Sequence, residues 1–404
     1  MKVPEGWKSD DFSGVEIEVI DGDRGKEYPS SDDLLEDGYC VFLSAKNVTK
    51  AGFKFDNVQF ISEEKHRKLR KGEVRRGNLV LTTRGTVGQF AYFDDSVPYD
   101  VIRINSGMVI LETAQSELSS EFLYALCRSR LIGKQIEAAA FGSAQPALTV
   151  KVVKKLRVPV PPLPEQKKIA QILSTWDQAI TVTECLLENS QQRKKGLMQQ
   201  LLTGKKRLPG FVGKFNTTTL SDAAIIIMGT SPKSASYNST GDGLPLLQGN
   251  ADIEGRRSRP RVFTSEVTKC CQPGNILLSV RAPVGSVAIS DHEACIGRGI
   301  CAIEVKNGND QGFLYQWMLW YEPRWASLSQ GSTFESVNSA DIKNLQIKLP
   351  ETREQKVISE VLSAADRESE LLVTRLNHLK KEKKALMQQL LTGKRRVRVQ
   401  VEAA

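Results

Sequence analysis

The sequence predicts an α+β fold in which two mixed α/β domains are separated by two long antiparallel helices, with pseudo-two-fold symmetry. The main observation is an internal repeat. The first copy starts at Pro164, reads PEQKKIAQIL and ends in LMQQLLTGK, and the second starts at Arg353, reads REQKVISEVL and ends in the same nine residues. An offset of 189 residues relates Glu165 to Glu354 and holds to the end of each copy. Two copies of one unit indicate a duplicated architecture.

Each copy is predicted to form a long helix with one apolar seam. Glu, Gln, Lys and Leu dominate both copies, and these residues favour the helix. Apolar residues recur at alternating spacings of four and three, which is the heptad pattern of a coiled coil. The seam consists of Ile169, Leu173, Trp176, Ile180, Leu187, Leu197 and Leu201 in the first copy and Ile358, Leu362, Leu372, Leu376, Leu379, Leu386 and Leu390 in the second. Thr183, Ser190 and Lys194 interrupt the first seam.

Both predicted helices end in the same way. Gly204 and Gly393 follow the last apolar residues, where a glycine in the left-handed conformation commonly terminates a helix. The basic triplets 205–207 and 394–396 then lie beside the negative ends of the helix dipoles. We favour this role over direct contact with phosphate, which the sequence leaves open.

The repeat divides the chain into a first domain, a helix, a second domain, a second helix and a tail. The corresponding ranges are 1–163, 164–205, 206–352, 353–395 and 396–404. The first domain has strand-like runs at 39–48, 78–85, 89–93 and 107–113 and a helix-like run at 120–135, and the second has strand-like runs at 244–253 and 273–289 and a helix-like run at 312–321. In this alignment Arg84 and Gly88 match Arg281 and Gly285, and the loop Gly142-Ser143 matches Gly331-Ser332.

The duplication also predicts how the helices pair. A folded domain usually brings its two ends together, so the first helix should end where the second begins and the two should run antiparallel. Each helix has roughly 40 residues and a length of about 60 Å, with the domains at opposite ends of the pair. Trp176 is expected over the methylenes of Lys383, whose amine stays in water. The same register opposes Ile169 to Leu390, Leu173 to Leu386, Leu187 to Leu372 and Lys194 to Ala365.

Composition narrows the class of protein. The chain has 56 Lys and Arg against 47 Asp and Glu, a net charge of +9, which favours a polyanionic partner. No apolar run reaches the length that spans a membrane, and the start lacks the apolar core of a signal peptide, so a cytoplasmic protein is expected. The seven cysteines lack metal-ligand spacing and are expected to be reduced, and the three scattered histidines make a zinc site improbable.

The sequence contains no recognisable catalytic motif. It has no [DNS]PP[YF] methylase motif and no glycine-rich loop for S-adenosylmethionine. The segments TGKK and TGKR lack the first glycine and the Ser or Thr of a GxxxxGK[ST] phosphate loop. We therefore expect a non-catalytic binding scaffold, with no cofactor and no metal in this chain.

Several segments together point to one family: PPLPEQKKIAQIL, the two copies of LMQQLLTGK, RRGNLVLTTRGTVG and PGNILLSVRAPVGS. With these segments the chain resembles the specificity subunit of a type I restriction-modification enzyme over nearly its whole length. The resemblance implies that both α/β domains are target recognition domains, each reading one half of a bipartite, asymmetric site in double-stranded DNA. Arg353 departs from the family pattern, which has a proline at the start of this helix.

The resemblance also implies the partners. The conserved helices are expected to fix the spacing of the two domains and to dock two methyltransferase subunits, which restriction and translocase subunits join. S-adenosylmethionine, ATP and Mg are then implied on those partner subunits, and no membrane is involved.

Candidate DNA contacts lie where predicted strands end. Arg pairs well with guanine and Asn or Gln with adenine, although polar residues in such loops often only satisfy the backbone. The candidates are Lys46, Asn47, Arg84 and Thr86 in the first domain and Gln248, Asn250, Arg256, Arg257, Arg281 and Arg298 in the second. Because Arg84 and Arg281 recur at matched positions, they are expected to hold phosphate or structure, not to specify a base.

Two other functions stay open at this point. One is a stand-alone DNA-binding regulator with two arms, and the other is a coiled-coil adaptor that binds no DNA. Divergent domains on conserved helices argue against the adaptor. Neighbouring genes for a methyltransferase and a helicase-like nuclease would exclude the regulator.

Overall fold

The computed structural model describes residues 1–140, 147–306, 308–325 and 336–399. The matched loops Gly142-Ser143 and Gly331-Ser332 and the end of the expected tail, 400–404, lie outside the described residues. The α-helices are α1 (Glu63–Lys68), α2 (Ser120–Cys127), α3 (Arg130–Ala140), α4 (Val150–Lys154), α5 (Leu163–Leu201), α6 (Leu220–Ala223), α7 (Gln311–Tyr321), α8 (Ser339–Lys343) and α9 (Thr352–Leu390).

Short strands joined by loops and 3-10 turns occur in both halves of the chain. The first half contains β1 (Lys8–Asp11), β2 (Glu18–Asp21), β3 (Cys40–Leu43), β4 (Val48–Thr49), β5 (Gly52–Phe53), β6 (Phe60–Ile61), β7 (Glu73–Val74), β8 (Leu79–Thr82), β9 (Phe90–Tyr92), β10 (Ile102–Ile104), β11 (Met108–Glu112) and β12 (Arg157–Val160). The second contains β13 (Asn216–Thr219), β14 (Ala224–Met228), β15 (Tyr237–Asn238), β16 (Leu244–Leu247), β17 (Ile253–Glu254), β18 (Arg257–Ser258), β19 (Val262–Thr264), β20 (Cys270–Cys271), β21 (Ile276–Ser279), β22 (Val287–Ile289), β23 (Ala294–Ile296), β24 (Ile300–Val305) and β25 (Gln346–Leu349).

Contacts divide the chain into two compact units. The first unit comprises residues 1–183 and 375–404, and the second comprises residues 184–374. The division falls inside α5 and α9, so each unit contains one globular module and one half of each long helix. This division differs from the ranges predicted from the sequence, in which each long helix is one undivided segment.

The two modules share a core sheet topology, to which the second module adds β15 in one sheet and β18 and β17 in the other. The first has sheets in the orders β6-β3-β10-β7 and β2-β11-β8-β9, and the second has β15-β19-β16-β23-β20 and β14-β24-β21-β22-β18-β17. A parallel pair lies at the same place in each, β3 with β10 and β16 with β23. The first and last strands of each module also pair, β1 with β12 and β13 with β25. The loose sequence similarity of the two domains thus reflects one fold used twice.

Burial explains why the strands form where they do. Strands β8 (LVLT) and β21 (ILLS) are buried at every residue, so their apolar runs are central strands covered on both faces. The helices α2 and α7 pack against these sheets through Phe122 and Phe313, both fully buried. The predicted runs at 78–85, 107–113 and 312–321 correspond to β8, β11 and α7.

The prediction of one helix over 120–135 is wrong, because two helices occupy the range. The helix α2 stops at Cys127 and α3 starts at Arg130. Ser129 donates both its hydroxyl and its N–H to the carbonyl of Leu126, at 2.6 and 2.9 Å. These local bonds end the helix without the glycine or proline that a sequence pattern would reveal.

In each unit the halves of α5 and α9 run antiparallel, as predicted. In the first unit Ile169 and Leu173 share a core with Leu390, while further along α5 Asp177 binds Lys383. In the second unit the hydroxyl oxygens of Ser190 and Ser369 lie 3.0 Å apart, in the register that opposes Ile169 to Leu390.

The fourteen seam residues are all buried or half-buried in the described structure, and most of them lie on the predicted faces beside the module cores. The buried members are Ile169, Leu173, Leu201, Ile358, Leu362, Leu376 and Leu390, and the half-buried ones are Trp176, Ile180, Leu187, Leu197, Leu372, Leu379 and Leu386. The polar interruptions are accommodated locally, since Thr183 donates its hydroxyl to the carbonyl of Ala179 at 2.7 Å.

The expectation that the amine of Lys383 points into water is wrong. Its Nζ binds the carboxylate of Asp177, which also accepts from Arg128 at 3.4 Å. Burial lowers the pKa of Lys383, although the bond to Asp177 opposes that shift. The equivalent pair in the second unit joins Lys194 to Asp366, so the position adjacent to the expected Ala365 provides the contact. Both seams therefore use a lysine that a carboxylate neutralises.

The ends of the helices are fixed by a pair of ionic contacts. In the second unit Arg207 donates through Nε to Glu354 at 2.7 Å, and in the first unit Arg396 donates through Nε to Glu165 at 2.7 Å. Gly204 and Gly393 have φ of +70° and +68°, the left-handed conformation expected after the helix ends. Two arginines of the basic triplets thus bind the two glutamates that recur in the repeat, which is neither of the two roles considered from the sequence.

Candidate nucleic-acid interface

In the first module several loops meet at one edge of the two larger sheets. The carboxyl ends of the parallel strands β3 and β10 lie side by side, and β10 continues through residues 105–107 into β11. The end of β8 joins them because Thr83 and Arg84 donate their N–H groups to the carbonyl of Gly107, at 2.8 and 3.1 Å. The loop after β2 also arrives here, since Asp21 pairs with Val109. We call this set of loops the first recognition edge.

Three of the four candidates of the first domain lie on the first recognition edge and are exposed. Thr86 donates its hydroxyl to the carbonyl of Ala45 at 3.4 Å, which brings the loop after β8 against the loop after β3. Lys46 follows Ala45 directly. Within the described part of the chain, the side chains of Lys46 and Arg84 have no partner, so both cations face solvent.

Asn47 has a structural role in this conformation. Its side chain is 2% exposed, and its oxygen accepts from the N–H and hydroxyl of Ser44 at 2.9 and 2.8 Å. Its amide donates to the carbonyls of Lys54 and Asn57, both at 3.0 Å. An asparagine has two donors and two acceptor sites, and here all are used. The amide therefore has no free donor or acceptor for a base edge. In the sequence, the spacing from Ser44 to Asn47 indicates a capped turn.

The second module has the same edge built from equivalent loops. Val280 donates its N–H to Gly299 at 2.9 Å, as Thr83 does to Gly107. Gly297 lies against Gln248, since a Cβ on Gly297 would be 3.5 Å from its Cγ. The candidates Gln248, Asn250, Arg281 and Arg298 all belong to these loops, which we call the second recognition edge. Among the described residues, the side chains of Gln248, Asn250, Arg281 and Arg298 have no hydrogen-bond or ionic partner.

Arg256 and Arg257 lie away from the second recognition edge. In the sheet register Arg257 is level with Ile289 and Ile276, the start of β21, whereas Arg281 follows the end of β21. At about 3.3 Å per residue that separation is roughly 15 Å. Arg257 binds Asp291 at 2.9 Å.

The guanidinium of Arg256 is likewise committed within the module. It binds Glu322 through Nη2 at 2.7 Å and the carbonyl of Val287 at 3.1 Å. The hydrogen bonds to Glu322 raise the pKa of Arg256. Glu322 also accepts the N–H of Val287 at 3.0 Å, so this arginine joins α7 to the sheet.

One cation of the first recognition edge was not identified from the sequence. Arg24, in the loop after β2, donates to the carbonyl of Ser106 at 3.2 Å and binds Asp21 at 3.1 Å. In the second module the equivalent contact is reversed, because Ser231 accepts the N–H of Arg298 at 3.1 Å. Both modules therefore place an arginine at this junction, but on opposite partners of it, and an alignment of the two domains hides the equivalence.

The described residues contain no group of three or more His, Cys, Asp and Glu side chains arranged to hold a metal ion. In the same residues no helix has both the length and the apolar character needed to cross a membrane. The cysteines are free, and burial raises the pKa of the Cys40 and Cys301 thiols to about 12.

Comparison with known proteins gives consistent results. The family described as "Type I restriction modification DNA specificity domain" matches residues 10–189 and 213–381. A relative from Methanocaldococcus jannaschii, described as the putative type I restriction enzyme MjaX specificity subunit, is 29% identical over 97% of this chain and 98% of its own. A second from the same organism, the type I restriction enzyme MjaVIII specificity subunit, is 24% identical over 98% of this chain and 95% of its own.

Solved structures agree. A chain from a study of complex assembly and conformational transition of the type I R-M system superposes with a TM-score of 0.59 at 26% identity, over 97% of this chain and 99% of that one. The S subunit of a type I system from M. genitalium has a TM-score of 0.63 at 15% identity, over 97% and 98% of the two chains, which shows a common fold. With a family match over most of its length and two modules of one fold, the chain belongs to the type I restriction-modification DNA specificity family, whose members provide recognition of DNA sequence.

Proposed function

We propose that each recognition edge reads one half of a bipartite, asymmetric site in double-stranded DNA. The observation that supports this is the presence of two equivalent loop edges with different side chains on one backbone framework. Lys46 and Thr86 are on the first edge, and Gln248 and Asn250 are on the second. Such side chains distinguish bases by the hydrogen bonds that they form with the base edges. Different residues on one framework therefore select different sequences.

In this proposal the matched arginines hold the DNA backbone. Arg84 and Arg281 follow the equivalent strands β8 and β21 and are exposed. A contact that both modules share cannot distinguish two half-sites, whereas phosphate is the same everywhere. Arg24 and Arg298, at the matched junctions, would assist them.

We propose further that the chain itself is non-catalytic and works within a larger complex. Methyltransferase subunits would bind S-adenosylmethionine, and restriction and translocase subunits would bind ATP and Mg. One structural relative comes from a study of how a type I system assembles into a complex, which supports a role as one subunit among several. The sequence contains no recognisable catalytic motif, and this fits a chain that only reads DNA sequence.

The test is methylome sequencing of cells that express the chain with its methyltransferase subunit. The wild type should methylate one split motif, and its DNA binding should weaken steeply with salt. Gln248→Ala with Asn250→Ala should alter only one half of the motif. Arg281→Gln should lower affinity and leave both halves unchanged.

Arg257→Gln is the matched control, since it removes a cation of the same module at the opposite end of β21. It should leave the motif and the affinity unchanged. A single continuous footprint without sequence preference, or a change in both halves of the motif from the substitutions at Gln248 and Asn250, would contradict the proposal.

A further inference from the structure

The connection from β6 to β7 in the first module differs from the equivalent connection, β19 to β20, in the second. Ile104 donates its N–H to Gly72 at 2.9 Å, and Ile296 donates to Lys269 at 2.7 Å, so Gly72 and Lys269 are equivalent. In the first module the connection from β6 to this point contains the helix α1. In the second it consists of 265–269 only. The insertion has a net positive charge, since it carries two carboxylates, Glu63 and Glu64, and five cations: Lys65, Arg67, Lys68, Arg70 and Lys71. The short connection of the second module has only Lys269 and Glu266.

The insertion ends beside the first recognition edge. Because β7 runs antiparallel to β10, the residues before β7 lie where β10 ends. Gly72 packs closely there, since a Cβ would be 3.3 Å from Ile104 and 3.5 Å from the backbone of Gly22. The guanidinium of Arg70 lies over Gly25, where a Cβ would be 2.5 Å from its Nη2. Arg70 and Lys71 thus border the loop that follows β2.

Asp23 fixes this arrangement. Its carboxylate accepts the N–H of Gly25 at 2.7 Å and the N–H of Arg70 at 2.8 Å, and it is only 4% exposed. Burial opposes its ionisation, yet the two N–H bonds and the Arg70 guanidinium outweigh burial and lower the pKa of Asp23 to about 2. The carboxylate of Asp23 is thus occupied by groups of its own loop and of residue 70, while the side chain of Arg70 stays 75% exposed.

The cations around Asp23 are available to a ligand. Lys26, Lys68 and Arg70 line one surface depression together with two acidic residues, Asp23 and Glu27. Lys26 and Lys71 are exposed and have no partner among the described residues. Lys68 binds Glu64 at 2.6 Å across one helical turn, and such exposed pairs exchange readily with other anions.

We propose that Lys26, Lys68, Arg70 and Lys71 form a basic lobe that binds DNA phosphates flanking the first half-site, and that the second module has no equivalent of its inserted part. Adjacent strands are about 4.8 Å apart, so Lys71 before β7 and Lys46 after β3 are separated by two strand spacings, about 10 Å. Projected on the DNA axis, that distance spans about three base-pair steps, because successive phosphates of one strand advance 3.4 Å along the axis. The lobe therefore extends the first recognition edge along the backbone.

The proposal implies that the two modules make different numbers of phosphate contacts. Phosphate contacts raise affinity and salt dependence but do not specify bases. The first module should hold its half-site over more phosphates than the second module does, whatever the base sequence outside the motif. This inference rests on the proposed function, because it assumes that the first recognition edge faces DNA.

The experiment uses the whole chain assembled with its methyltransferase subunits and compares wild type with Arg70→Gln/Lys71→Gln. The slope of log affinity against log salt should become shallower by about 2 in the variant. The ratio of wild-type affinity to variant affinity should therefore fall about tenfold between 0.05 and 0.2 M salt. The methylated motif should not change. Ethylation of phosphates outside the first half-site should block binding of the wild type and not of the variant.

The matched control is Lys154→Gln/Lys155→Gln, which removes two exposed cations of the same module. Lys154 accepts the N–H of Ser13 through its carbonyl, on the side of β2 away from the recognition edge. This control should bind as the wild type does. Folding is expected to be kept in the test variant, because Asp23 bonds to the backbone N–H of residue 70 and not only to its side chain.

The outcomes separate the two proposals. A variant that keeps the wild-type salt slope and the wild-type ethylation pattern overturns the basic lobe and leaves the proposed function intact. A wild-type complex that methylates no split motif overturns the proposed function itself. Equal flanking interference at both half-sites in the wild type also overturns the asymmetry.

Discussion

At the scale of single residues, each recognition edge has a glycine at a position where any side chain would be strained and crowded. Gly285 ends the loop that begins after β21, and its φ of +96° lies in the left-handed region. A Cβ there would be 2.6 Å from the Cβ of Trp325, which is fully buried. Gly88 has the equivalent position and a φ of +85° in the first module, where a Cβ would be 3.1 Å from Ile136. Backbone conformation and close packing thus require glycine together.

The two requirements can be separated by comparing Gly285→Ala with Gly274→Ala. Gly274 has a φ of +89° but nothing within 4 Å of a Cβ. Gly274→Ala should cost only the left-handed strain, about 1–2 kcal/mol. Gly285→Ala should add an overpacking cost of about 1–3 kcal/mol.

Urea unfolding of the two variants measures the difference, with the wild type as reference. Equal losses of stability in the two variants would mean that the loop moves away from Trp325 at no cost, and would remove the packing argument.

At the scale of elements, the repeated Glu-Gln pair explains how each long helix is anchored to its module. Gln166 donates to the carbonyls of Glu117 and Pro161 at 2.8 and 2.9 Å and accepts the N–H of Ser119 at 2.8 Å. Gln355 is 2% exposed and makes equivalent contacts in the second unit. Its amide donates to Pro350 at 2.9 Å, and its oxygen accepts the N–H of Asp310 at 2.9 Å. The pair therefore locks the start of each helix to the loop before α2 or α7.

Gln355→Met keeps the length of this side chain and removes its hydrogen bonds. The N–H of Asp310 and the carbonyl of Pro350 would then be buried without that partner, at a cost of about 1–3 kcal/mol. Gln192→Met, on an exposed position of α5, should change the free energy of unfolding by less than about 0.5 kcal/mol. Chemical denaturation of both variants tests this, and equal stability would show that water replaces the lost contacts.

At the scale of the whole molecule, the repeat means that each unit borrows the same elements from a distant part of the chain. Leu390 and Leu391 pack in the core of the first module, and Arg396 forms its ion pair with Glu165. Leu201, Leu202 and Arg207 have the same roles in the second module, where Arg207 binds Glu354. The offset of 189 residues relates each of the first three to one of the second three. One half of the chain therefore contains every element that it would need from a second copy of itself.

A fragment of residues 1–208 is thus expected to form a homodimer. Glu165 of one copy would bind Arg207 of the other, Ile169 would face Leu201, and Lys194 would replace Lys383 beside Asp177. A two-fold contact of this kind is self-complementary. Expressed with the methyltransferase subunit, the fragment should methylate a palindrome built from the first half-site.

Sedimentation of the fragment and methylome sequencing of the cells test this expectation. Arg207→Glu in the fragment is the control, because it should abolish both the dimer and the symmetric site. A folded fragment that stays monomeric at high concentration and yields no palindrome would show that the repeats are not interchangeable.

The sequence by itself determined the duplication, the helical seams, the antiparallel pairing and the family. These features can be recognised from short stretches of sequence or from the direct repetition of a segment. A heptad states which face of a helix is buried, and identical segments state that a unit occurs twice. Seven of the ten candidate DNA contacts also occur on exposed loops of the two recognition edges, because loops at strand ends can be recognised from turn residues and apolar runs.

Only the tertiary structure decided which polar residues are already occupied. Asn47 is consumed by its own turn, Arg256 by Glu322 and Arg207 by Glu354, in a contact between residues 147 positions apart. Sequence patterns record the periodicity of burial, but an arginine that binds a buried carboxylate and one that faces solvent have the same local signature. The choice between them depends on which distant groups the fold brings within hydrogen-bond distance, and that is a property of the packed chain.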